Sequence, residues 1–136
     1  MGSVVFSRIL GLTIPYTGSI KAHVELLEPG HAIVFMKDRR CVRNHLDSIH
    51  AIALANLAEL STGLAMICGL PSGMNGILVD LNVSYEKKAR GALRAECVCE
   101  VPAGQSRQQV AIDTEITDHS GEVVTRATAT WLVGPK

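Results

Sequence analysis

The stretch IHAIALANLAELSTGLAMICGL, residues 49–70, decides the fold. It is dense in Ala and Leu, which have the strongest preference for helix, has no proline, and carries one interior glycine, Gly63. It reads as one long helix. Apolar side chains occupy nearly its whole circumference, and in a soluble protein such a helix is enclosed by other structure rather than laid on a surface. Asp47 or Ser48 is the expected N-cap, since either side chain accepts a bond from the first free amides. Pro71, Ser72 and Gly73 are expected to end the helix.

The chain on either side reads as strand. Upstream, KAHVELLE meets the turn Glu28-Pro29-Gly30-His31 and continues as AIVFMK, the pattern of a β-hairpin. Downstream, Ile77, Val79, Leu81, Val83 and Tyr85 alternate with Leu78, Asp80, Asn82, Ser84 and Glu86, a period of two that calls for one buried and one wetter face. Further strands are expected at 92–101, 109–117 and 122–133, the last two joined by Asp118-His119-Ser120-Gly121. Residues 1–19 are an extension with room for a short helix. The order β-β-α-β-β-β-β, with one buried helix and antiparallel strand to wrap it, is α+β. No repeat or linker divides the 136 residues, so one domain over 1–136 is expected.

Composition narrows the function classes. Thirteen basic and thirteen acidic residues cancel, which argues against nucleic-acid or anionic-lipid binding by bulk charge. The apolar run Val4–Ile14 is interrupted by Arg8 and is far shorter than the ~20 residues that span a bilayer. No secretory pattern is evident, so a cytoplasmic location is expected. Cys41, Cys68, Cys97 and Cys99 form no CxxC pair and read as reduced thiols, Cys97 and Cys99 sharing one strand face as small packed hydrophobes. No metal or cofactor is called for.

The chemistry concentrates around the helix. Between His50 and Leu70 the only charged side chain is Glu59. A buried carboxylate is disfavoured in its charged form, and such groups are enriched at functional sites, although a satisfied core or interface carboxylate is the alternative reading. Asn56, three residues earlier, is placed to hold it. At the helix start the backbone amides carry partial positive charge, and that of Ala51 is a candidate donor to a developing oxyanion. Ala51 and Glu59 lie eight residues apart, roughly 12 Å at ~1.5 Å per residue. One helix therefore cannot offer both to one carbonyl, whereas two helices packed antiparallel across a two-fold axis would form two composite sites.

Asn44, His50 and Glu59, in the form N-x5-H-x8-E running into the helix, resemble the signature of the hotdog acyl-CoA thioesterases of the phenylacetic acid degradation type. The wider stretch RRCVRNHLDSIHAIALANLAELS is similar to an uncharacterised thioesterase-like branch of that superfamily, and the strand order extends the likeness from about residue 20 to the C-terminus. The resemblance implies a hotdog fold, an antiparallel sheet wrapped around one long helix. It implies Glu59 as general base or nucleophile, Asn44 orienting the water or the thioester, the Ala51 amide binding the oxyanion and His50 lining the site. Two departures stand out. Ala51 and Ile52 occupy the places of a Gly-Gly pair, and Gly63 the place of a hydroxyl residue one turn after the acid; Ser61 and Thr62 are near that place without filling it.

For the thiol half of a substrate, Arg39, Arg40 and Arg43 before the helix and Lys87, Lys88 and Arg90 after the next strand are clusters of the kind phosphates favour, though each run also reads as a solvated strand end. His23, His31, His45 and His119 lack ligand spacing and read as surface or turn residues. The leading expectation is hydrolysis of an acyl thioester such as an acyl-CoA by a homodimer or tetramer; the alternative is a non-catalytic hotdog module that binds acyl thioesters or assembles with partners.

Overall fold

The computed structural model describes residues 2–136. Two N-terminal helices, α1 (Ser3–Thr13) and α2 (Pro15–Ser19), precede the hairpin β1 (His23–Glu28) and β2 (His31–Met36). A 3-10 turn at Arg40–Val42 leads to the long helix α3 (Ala51–Ile67), followed by β3 (Met74–Tyr85), β4 (Leu93–Val98), β5 (Gln108–Thr117) and β6 (Val123–Pro135). All six strands join one antiparallel sheet in the order β1-β2-β4-β5-β6-β3.

The sheet wraps α3, which packs against every strand. Leu57, Ala58, Ala65 and Met66 have no measurable exposure, and the helix's buried side chains run from Ala53 to Met66. The core divides into two clusters along the helix. One gathers Leu54, Leu57, Val34, Met36, Leu93 and Ile116; the other gathers Met66, Ile112, Trp131 and Val133. This is the α+β hotdog architecture expected from the apolar helix and its flanking strands.

Three local expectations are corrected. The extension forms two helices rather than one, turned at Ile14 and Pro15, where proline suits a first helical turn. Gly11 and Gly18 let them touch: a Cβ on Gly18 would sit 2.2 Å from the Gly11 carbonyl oxygen. The N-cap of α3 is His50, not Asp47 or Ser48; its Nδ1 accepts from Ile52 N at 3.0 Å. Ser48 is buried and its hydroxyl donates instead to Asn44 Oδ1, while Asp47 takes a left-handed turn at φ 54°.

The third correction concerns β3. Its pairing with β6 shifts between Leu78 and Asp80, an extra residue at Val79. A single inserted residue moves every later side chain to the opposite face. Met74, Gly76 and Leu78 are the more enclosed positions before the bulge, and Leu81 and Val83 after it. Ile77 and Val79 are therefore exposed, at 58% and 47%, instead of sharing one buried row with Leu81 and Val83. Because β3 ends the sheet, this twelve-residue edge carries exposed apolar side chains and has no further strand paired to it among the described residues.

Candidate functional site

The site begins in the loop before α3. Asn44 Oδ1 accepts from Leu46 N at 2.9 Å, Ser48 N at 3.3 Å and Ser48 Oγ at 3.2 Å, while Asn44 N donates to Ser48 O at 2.8 Å. Its carbonyl oxygen is thus the hub of the turn, a task suited to Asn because its side chain mimics a backbone acceptor. The Nδ2 group makes no hydrogen bond among the described residues and remains a free donor on a half-buried side chain. The loop is fastened at its far end by His50 N to Val42 O and Ile49 N to Ala89 O, both 2.8 Å.

His50 accepts through Nδ1, so in this cap that nitrogen carries no proton and Nε2 carries the N–H. Ile52 N is satisfied by this cap and Leu54 N by the His50 carbonyl at 3.1 Å. The amides of Ala51 and Ala53 have no acceptor among the described residues, leaving the positive end of α3 open. Tyr85, at the end of β3, donates its hydroxyl to the Ala51 carbonyl at 2.8 Å and so ties the edge strand to the helix start. Its place at the end of an alternating run gave no hint of this long-range bond.

Glu59 sits two turns further along. Its carboxylate has neither an ion pair nor a hydrogen bond among the described residues, and desolvation pushes its pKa above the usual carboxylate value. Asn56 does not hold it. The Asn56 side chain, 7% exposed, turns to α2, where its Oδ1 accepts from Thr17 Oγ1 at 3.0 Å and its Nδ2 is buried without a partner. Gly63, one turn beyond Glu59, faces the indole of Trp131, which would stand 2.9 Å from an added Cβ; Trp131 Nε1 donates to Thr62 Oγ1 at 3.1 Å. A side chain at position 63 would have to displace that indole. Ser61 and Thr62 are committed to the core, Ser61 to Thr114 Oγ1 at 2.9 Å and Thr62 to the Ala58 and Glu59 carbonyls.

The two cationic runs, far apart in sequence, meet at this end of the molecule. Asp38 joins them, accepting from Arg43 Nε at 2.6 Å and Gly91 N at 2.8 Å, and Arg90 Nη2 reaches Leu46 O at 3.4 Å. The Arg43 guanidinium is thereby paired, and Lys87 is bound to Asp118 and Glu122. Asp118 also accepts from Ser120 and Glu122, which together with Lys87 holds its carboxyl well below the usual range. Arg40, Lys88 and Arg90 are exposed and make no ion pair among the described residues. Cys97 is buried in the second core cluster, and burial pushes its thiol up to about 12.

A family model described as a domain of unknown function, DUF4442, matches residues 2–133. The chain belongs to this family. A structural-genomics crystal structure is similar to this DUF4442 chain at 32% identity and TM-score 0.89, covering 100% of this chain and 92% of the other. A Pseudomonas aeruginosa protein of unknown function, described as "Probable Thioesterase", shares the fold at 23% identity and TM-score 0.88, over 100% of this chain and 97% of that one. A hypothetical thioesterase from Streptococcus pneumoniae, solved with coenzyme A, is 25% identical at TM-score 0.72, over 85% of this chain and 90% of its own. Several structural neighbours that share the hotdog fold are described as thioesterases. No curated protein matches the sequence.

Proposed function

We propose that this DUF4442 chain is a thioester hydrolase acting on an acyl-CoA at a composite site between two copies of the chain. The observation that carries the reading is Glu59, a half-buried carboxylate with no partner among the described residues, on the central helix of a fold whose neighbours are described as thioesterases. A carboxylate kept short of solvent and of counter-ions retains basicity that a solvated or paired one loses.

In the proposed reaction the thioester oxygen lies against the open amide of Ala51, where negative charge develops as the carbonyl is attacked. Glu59 of the other copy takes a proton from the attacking water and returns it to the sulfur as the carbon–sulfur bond breaks, or attacks the carbonyl carbon itself, expelling the thiolate, which takes its proton from water, and leaving a mixed anhydride that a second water hydrolyses. Asn44 Nδ2 is the donor left over to orient water or carbonyl, and His50 offers Nε2–H at the same helix end. Arg40, Lys88 and Arg90 are the cations free to take CoA phosphates, with Arg43 and Lys87 supporting them from their ion pairs. Dimerisation is supported by the ~12 Å helical separation of Ala51 and Glu59. It is supported too by the exposed apolar edge strand β3, a surface that proteins ordinarily cover.

The test is release of free thiol by the purified protein over a panel of aliphatic and aromatic acyl-CoAs, with sedimentation at micromolar concentration. Turnover on at least one acyl class by a dimer, lost in Glu59→Gln, is expected. A folded dimer inactive on every acyl-CoA would favour a non-catalytic acyl-thioester-binding module, and a well-folded monomer would remove the composite site.

A further inference from the structure

An open cavity of about 600 Å³ lies between α1, α2 and the start of β1, away from the groups assigned to hydrolysis. Its size falls within the ~300–1,000 Å³ of pockets that take small organic ligands. Val4, Leu10 and Ala22 supply apolar walls, and neither Glu59, Asn44, His50 nor Ala51 lines it. Thr17 is the buried polar wall, and its hydroxyl is already spent on Asn56.

The charges are one-sided. Arg8 and Lys21 line the cavity, both exposed, and neither makes an ion pair among the described residues. No carboxylate lines it, and the remaining titratable wall residue, His23, is engaged with Ser3 Oγ at 3.2 Å. Two unneutralised cations beside an apolar hollow match a ligand with one anionic head and one hydrocarbon tail. The roof is lightly held. No residue of α1 is buried, and the helix meets the core mainly through Phe6 and Leu10, with Ser7 Oγ accepting from Val24 N at 2.9 Å.

We infer that the cavity under α1 binds a single-chain fatty carboxylate, with the tail against Val4, Leu10 and Ala22 and the carboxylate at Arg8 and Lys21. Such a ligand is of the same class as the acid that the proposed hydrolysis releases, but the inference rests on the cavity and its charges alone.

The probe is decanoate, titrated calorimetrically into the full chain, with decanol as the uncharged control. One saturable site per chain is expected, at least about tenfold weaker for decanol and for the double variant Arg8→Gln/Lys21→Gln. Ala22→Leu, which fills the cavity, should abolish binding; both cations are exposed, so the double variant keeps the test valid should Ala22→Leu fail to fold. Glu59→Gln should bind decanoate as the parent does. Absence of saturable binding, equal affinity for decanol, or parental affinity in the cation variant would overturn the inference. So would loss of decanoate binding in Glu59→Gln, which would put the ligand at the hydrolytic site, or binding to phosphatidylglycerol vesicles without binding to monomeric decanoate. Decanoate binding by a chain inactive on all acyl-CoAs would refute the proposed hydrolysis and leave this site standing.

Discussion

Replacing Gly63 by Ala tests how tightly the helix and sheet are fitted beside the proposed base. Two effects oppose one another. Alanine in a helix interior is favoured over glycine by ~1 kcal/mol. The added Cβ, however, stands 2.9 Å from both Cη2 and Cζ2 of Trp131, a side chain only 4% exposed, against ~3.5–4.0 Å for carbon atoms in comfortable contact. An indole on β6, between β5 and β3, cannot swing aside, so ring and strand must shift. Overpacking of this kind costs ~1–3 kcal/mol, and losing the Trp131–Thr62 hydrogen bond adds ~1 kcal/mol. The packing terms win by ~1–3 kcal/mol. With ~2.1 cal/mol/K of unfolding entropy per residue over 136 residues, that is a fall in Tm of ~3–10 °C. Thermal and urea unfolding of Gly63→Ala, Trp131→Phe and the double variant would measure it. Phenylalanine lacks the two clashing atoms, so the cycle should show a favourable coupling of at least ~1 kcal/mol in the double variant. A Gly63→Ala protein as stable as the parent would mean that the contact has slack and that packing does not explain glycine at this position.

Glu59→Gln should lower kcat on the best acyl-CoA by at least ~10²-fold. Because burial raises the Glu59 pKa in the folded state above its ordinary 4.5, the carboxylate penalises folding as pH rises through that range and is harmless below it. The Gln variant should therefore melt higher than the parent near neutrality and together with it near pH 4, and an equal gain at both pH values would discard desolvation as the cause. Asn44→Ala removes the acceptor of three bonds and should cost ~1–2 kcal/mol by the standard of lost caps, whereas Asn44→Asp keeps the acceptor, exchanges the Nδ2 donor for a second, negatively charged oxygen, and should fold normally with reduced turnover. Unchanged kcat in Asn44→Asp would take Asn44 out of the chemistry. Lys88→Ala and Arg90→Ala should each raise KM for acyl-CoA ~3–10-fold at constant kcat, with the effect fading at high salt; a fall in kcat instead would place them nearer the reacting atoms than the phosphates.

The central helix was legible because its signal is local: twenty-odd residues without proline and apolar on every side admit few other readings. Glu59 was legible for the same reason, as the one charge in that run. What escaped depended on contacts across the chain. The Val79 bulge leaves the alternation of apolar letters intact while reversing which of them face the core, and only the pairing with β6 reveals it. Asn56 was three residues from Glu59 in the sequence but owes its orientation to Thr17, thirty-nine residues away. His50 displaced Asp47 and Ser48 as the cap because the turn around Asn44 consumed Ser48 and bent the backbone at Asp47. The junction of the two cationic runs likewise rests on Asp38, an acid that drew no notice among the basic residues around it.

The sheet order also sets a timetable for synthesis. Among the described residues β3 pairs in the sheet only with β6, the strand that follows all the others described, with Met74 opposite Pro135 at the far end. As the chain leaves the ribosome, the hairpin β1–β2, α3 and then β4 and β5 can begin to assemble while β3 waits with both edges bare. Contacts between such distant segments form slowly, and unpaired apolar strands are the parts of a nascent chain most open to wrong partners. The same strand that offers itself to a second copy is therefore the last to be secured in its own.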